Sequence, residues 1–70
     1  GVDRVFNTTS DYDPGVVKSI YLRTQGPVAA GSASFVGGSA IDLSALPVGT
    51  YEWPITQISS SGAEVFVIKK

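Results

Sequence analysis

Six acidic residues are the first candidates for chemistry in a chain that contains no His and no Cys. Asp11 and Asp13 flank Tyr12 just before Pro14-Gly15. In an extended segment both carboxylates share a face and could hold a weak cation, because Ca²⁺ takes several oxygen ligands. An EF-hand loop would need more ligands and a Glu at its twelfth position, so a capped turn is the better reading. Asp42, Glu52 and Glu64 fall in three separate strand candidates. Paired carboxylates can hydrolyse glycosides, but only in a deep cleft that so short a chain rarely builds. Solvated faces or single salt bridges are expected for all three.

The hydroxyls and glycines offer less. Ser59-Ser60-Ser61 has no imidazole to activate it, and a serine nucleophile needs a base. Gly31, Gly37, Gly38 and Gly49 form no phosphate loop, since no Gly-Lys-Ser/Thr leads from a strand into a helix. Asn7-Thr8-Thr9 matches a glycosylation sequon, a motif frequent by chance. Absent Cys removes disulfides, thiol nucleophiles and Cys-based zinc or iron–sulfur sites. A non-enzymatic module without metal or cofactor is the reading these residues support.

Rings are the remaining candidates. Tyr12, Tyr21, Tyr51 and Trp53 could form a sugar-binding or interface platform, as Trp and Tyr are favoured at interfaces. Tyr51, Trp53 and Ile55 alternate onto one face, which favours the core for Trp53. Tyr21 beside Arg23 on a polar face is the better interface candidate.

Composition bounds the rest. The 70 residues are 43% apolar and 16% charged, with a net charge of -1. Typical domains carry about 25% charged residues, so much of this surface is expected to meet protein. The five basic residues do not cluster beyond Lys69-Lys70, which argues against nucleic-acid binding. No apolar run reaches the roughly 18 residues of a membrane helix. Chains this short bury only about 60% of their unfolded surface, so oligomerisation is an expected source of stability.

The elements must be strands. Val and Ile number 14 against three Leu, and β-branched side chains suit a pleated surface. Eight Gly and four Pro punctuate the chain, leaving no uninterrupted helical repeat. Strands are expected over 16–24, 28–30, 32–36, 40–43, 50–55 and 64–69. Leu46-Pro47-Val48-Gly49 and Gly37-Gly38 read as turns, and residues 59–62 as a hairpin loop. Pro54 belongs at an edge or bulge. Turns at this spacing predict an all-β fold, a small antiparallel sandwich or barrel of about six strands. Residues 1–14 read as an extended N-terminal arm on a single domain over 15–70. Val65-Phe66-Val67-Ile68 is apolar on both faces, so a neighbouring subunit or the arm should cover one of them.

The order of motifs resembles one family. A strand of the type Lys18-Ser19-Ile20-Tyr21-Leu22-Arg23-Thr24 is followed by Gly26 and Val28, then a strand ending near Phe35. A Leu46-Pro47-Val48-Gly49-Thr50 turn, Pro54, the segment Ile55-Thr56-Gln57-Ile58 and a Ser61-Gly62-Ala63 loop lead to the final apolar strand. This arrangement is similar to the capsid spike-base and head-decoration proteins of tailed phages and gene transfer agents. Gln57 departs from it, standing where the family often has a base. The resemblance implies a virion structural protein, made in the host cytoplasm and placed on the capsid surface. It would bind the major capsid protein or other virion proteins, a fibre among them, and form a homo-oligomer. The expected interface residues are Val2, Val5 and Phe6 of the arm, with Tyr12, Tyr21, Arg23, Val65 and Val67. A tail or baseplate component and a carbohydrate-binding adhesion module are the competing expectations.

Overall fold

The computed structural model describes residues 1–26 and 31–70. Its strands are β1 (Val2–Phe6), β2 (Thr9–Asp11), β3 (Val17–Thr24), β4 (Gly31–Phe35), β5 (Ala40–Asp42), β6 (Gly49–Tyr51), β7 (Ile55–Ser60) and β8 (Glu64–Lys69). They form two four-stranded antiparallel sheets, ordered β1-β8-β3-β6 and β2-β7-β4-β5. The fold is all-β and consistent with a small sandwich, as the alternation predicts. The expected strand over 28–30 lies outside the described residues.

Among the described residues eight strands stand against the expected six, because Val2–Phe6 and Thr9–Asp11 of the expected arm are sheet and Ile55–Ser60 forms a strand of its own. β1 pairs with β8 along its whole length, from Val2 opposite Ile68 to Phe6 opposite Glu64. The chain then crosses to the other sheet at Asn7, whose left-handed φ of 55° makes the bend. Asn7 Oδ1 accepts from the Gly62 amide at 2.8 Å, tying the crossing to the β7–β8 turn. Polar turn formers there mark a change of sheet rather than an unpaired segment. Val5 is fully buried, so removing residues 1–10 would open the core before it tested any docking role.

Other boundaries move for local reasons. Asp42 ends β5 by capping a single 3-10 turn, Leu43–Ala45, with Oδ1 accepting from the Ser44 amide at 2.9 Å. β6 stops at Tyr51, well before Pro54. Ser59 and Ser60, expected in a loop, extend β7. Ser60 is buried and its hydroxyl donates to the Ala63 carbonyl.

The core lies between the sheets. Ile20, Leu22, Val5, Val65 and Val67 from the first sheet meet Ala33, Ile55 and Ile58 from the second, with Leu43 and Leu46 from the intervening segment. Trp53 closes one end as a half-buried ring, stacked on Tyr51 at 4.5 Å and set edge-to-face with Phe35 at 5.4 Å.

Candidate assembly interface

Period-two alternation gives each sheet an inner and an outer face, and the two outer faces differ in chemistry. On the second sheet, the residues pairing outside the core are Thr9, Asp11, Gln57, Ser59, Ser32 and Ser34. Four of them pair: Thr9 Oγ1 lies 3.1 Å from Ser59 Oγ, and Gln57 Nε2 donates to Asp11 Oδ1 at 2.7 Å. This is a surface suited to water.

The outer face of the first sheet is apolar and aromatic. Val2, Arg4 and Phe6 of β1 stand opposite Ile68, Phe66 and Glu64 of β8, and Phe66 stands opposite Tyr21 of β3. Val2 is 62% exposed, Phe6 38% and Tyr21 37%. Tyr21 and Phe66 stack with centroids 6.2 Å apart. The Arg4 guanidinium lies 5.0 Å from the Phe6 ring centre, where the ring quadrupole attracts a cation.

Glu64 is the charged centre of this face. Its carboxylate is buried, bonded by Arg4 Nε to one oxygen and by Arg23 Nη1 to the other at 2.9 Å. A bulge between Leu22 and Thr24 interrupts the β3–β8 register beside Arg23. The two guanidinium groups keep more than half of their side-chain surface in solvent, so the trio presents a net positive charge among rings. The hydrogen bond from Arg4 holds the Glu64 carboxyl below the usual range; burial opposes this, and the charges of Arg4 and Arg23 and the Arg23 hydrogen bond reinforce it. A depressed folded-state pKa gives stability that is present above the unfolded value of about 4.3 and is lost as pH falls through the folded value. Acid titration of wild type is therefore expected to show a loss of stability below about pH 4 that Glu64→Gln lacks. Parallel curves for the two proteins would refute the assignment.

The expected interface residues divide cleanly. Val2, Phe6, Tyr21 and Arg23 come together on this face. Val5, Val65 and Val67 do not reach it, being fully buried in the chain's own core. The expectation failed for them because the second sheet already covers the inner face of β8. Tyr12 also lies elsewhere: it packs on the core, and its hydroxyl donates to Asp3 Oδ2 at 3.2 Å. Burial, then the Asp3 carboxylate, push its phenol above the ordinary value, so it remains a donor. Sequence reasoning missed Arg4, Glu64, Phe66 and Ile68 as members of the face. The available signal was the double-faced apolar run of β8, whose Phe66 and Ile68 supply the outer half.

The remaining sequence candidates do not converge. Asp13 accepts from the Val16 amide at 3.2 Å across Pro14 and Gly15, and Gly15 has φ 83°, the conformation a type II turn requires second. Asp11 is bonded to Gln57 on the other side of that turn. An open depression lined by Asp11, Ser34, Phe35, Gly38, Thr56 and Gln57 has a volume near 500 Å³. Its carboxylate is already engaged by Gln57. Among the described residues no three His, Cys, Asp or Glu side chains gather as a metal cluster, and no helix is long and apolar enough to cross a membrane. Comparison with family models, with curated proteins and with solved structures finds no match.

Proposed function

We propose that this chain is a non-catalytic virion structural subunit of the capsid-decoration or spike-base kind, and that the outer face of its first sheet is the surface that meets other virion proteins. The observation that carries the binding role is the contrast between the two outer faces. One sheet shows water a layer of Ser, Thr and Gln, and the other shows it Val2, Phe6, Tyr21 and two arginines that share the buried Glu64 carboxylate. Exposed rings beside arginines are the residue types in which binding energy concentrates. The virion assignment rests on the order of motifs from Lys18 to Ile68.

The test is co-sedimentation with shells assembled from the major capsid protein of the same genome. Wild type is expected to bind. The Tyr21→Ser/Arg23→Ser double variant, altered on a central strand away from both sheet edges, is expected to bind at least tenfold more weakly. Equal binding by a variant with unchanged circular dichroism would overturn the face assignment, and no binding by wild type would overturn the shell as partner. Cryo-electron microscopy of particles separates a head position from a tail or baseplate one. The adhesion alternative draws on the half-buried Tyr51–Trp53 stack. It would gain from quenching of Trp53, the single tryptophan, by a glycan panel.

A further inference from the structure

The two edges of the first sheet are unlike each other and complementary. Lys69 N donates to Gly1 O at 2.8 Å, and Gly1 N lies 3.5 Å from Lys69 O. These residues are thus a hydrogen-bonded pair, and such pairs alternate along an antiparallel ladder. In that phase Val2, Arg4 and Phe6 turn their N–H and C=O groups away from β8, toward the open side of β1. Carrying the alternation through Phe66–Tyr21 and Ile20–Tyr51 sets the phase of β6. Thr50, and Glu52 one pleat further, turn theirs away from β3. Five residues make β1 the longest edge strand among the described residues, since β2, β5 and β6 have three each. A strand with unpaired backbone groups is a template for another strand.

We infer that β1 of one copy pairs edge to edge with β6 of the next copy, continuing the first sheet from subunit to subunit. This inference rests on the assembly role proposed above. Three consecutive antiparallel pairings make β6 run opposite to β1. The new pair would therefore be antiparallel as well. Registers two residues apart satisfy both the hydrogen-bond phase and the faces, and charge complementarity selects one of them. The selected register sets Arg4 opposite Glu52 and Phe6 opposite Thr50, with Val5 and Tyr51 both on the core side. Glu52 is exposed and has no ion pair among the described residues. The ladder ends at Pro54, which has no N–H and whose carbonyl already accepts from Val36 at 2.8 Å.

Charge selects this pairing over a two-fold one. Centred β1–β1 pairing would set Arg4 against Arg4, and like charges directly opposite destabilise a sheet. The β1–β6 contact sets opposite charges together. It is heterologous, so it propagates head to tail and closes into a ring where the rotation permits. Every copy in such a ring turns its Tyr21 face to the same side of the continuous sheet.

The absence of cysteine makes the test clean. Opposed residues in a hydrogen-bonded pair have Cα atoms about 5.5 Å apart, within reach of a disulfide. Phe6→Cys and Thr50→Cys proteins, one carrying a mass tag, are mixed and oxidised. Disulfide dimers joining position 6 to position 50 are expected at least tenfold in excess over either like pair, and Glu52→Lys in the Thr50→Cys chain should remove that excess. Statistical amounts of the three dimers would overturn the edge pairing, as would a monomeric mass for wild type at millimolar concentration by light scattering. Neither result alters the shell-binding comparison, which reads the face and not the edges.

Discussion

Replacing Gly31 with alanine is expected to destabilise the fold by about 3 kcal/mol or more. Gly31 opens β4 with φ 137°, a region that side-chain-bearing residues rarely occupy. Its partner in the ladder is Ser60 of β7. A Cβ there would stand 2.0 Å from the Ser59 carbonyl oxygen, 2.8 Å from Ser59 C and 2.9 Å from Ser60 Cα. All three are backbone atoms of the strand that organises the second sheet, so no side-chain rotation relieves the overlap. β4 and β7 must part, and Ala33 and Ile58 of the core lie on those strands. Gly37→Ala is the control: Gly37 also has positive φ, 101°, but a Cβ there meets nothing within 4 Å. It should cost only the backbone strain, about 1 kcal/mol. Urea midpoints of the two variants are the measurement, and equal midpoints would remove the steric account.

Truncating Ile20 to alanine is expected to cost about 2–5 kcal/mol. A chain of this length has only about 4–10 kcal/mol of stability in total, so this variant should be largely unfolded on warming. Ile20 is fully buried at the centre of the first sheet, between Tyr51 and Val67. The adjacent Tyr21 points to the opposite face and stacks on Phe66. Tyr21→Ser should cost about 1 kcal/mol, the worth of an aromatic pair. Thermal unfolding of both variants reads the contrast, since 1 kcal/mol corresponds to about 4–8 °C in a domain of this size. A larger loss from Tyr21→Ser than from Ile20→Ala would mean that the inner and outer faces have been interchanged.

Much of this architecture is legible in the order of residue types. The alternation over 17–24, the apolar run within 64–69, the Gly37-Gly38 turn and the scarcity of helix-forming runs all identify strands and their ends. What misled the reading was any segment whose partner is distant in sequence. Thr9–Asp11 looks like loop because its residues are small and polar, yet Ser59, Ile58 and Gln57 complete its ladder. Ser59 and Ser60 look like a turn for the same reason, yet β2 and β4 flank them. Strand propensity measures fit to neighbours, and a polar strand paired along the ladder is invisible to a scan for apolar alternation.

The interface candidates follow the same logic. Tyr21 and Arg23 are readable as outward because they alternate with Ile20 and Leu22 in one continuous strand. Val65 and Val67 are expected outside because a two-faced apolar strand needs two covers, and Val5 because residues 1–14 read as an arm that docks on a neighbour. The structure supplies the inner cover from the second sheet and flanks β8 with β1 and β3. Phe66 and Ile68 are then left half-buried on the outer face.

By itself the sequence determined the chemistry that is excluded, the strand class and which residues alternate. Those properties are local, fixed by side-chain type and a backbone period of two. Only the tertiary structure decided that the first fourteen residues build edges, that Glu64 binds Arg4 and Arg23 at once, and that one outer face is apolar while the other is polar. Each of these depends on strand register between residues distant in sequence, as far apart as Val2 and Ile68, and a one-residue slip in any ladder would turn every side chain of that strand to the opposite face.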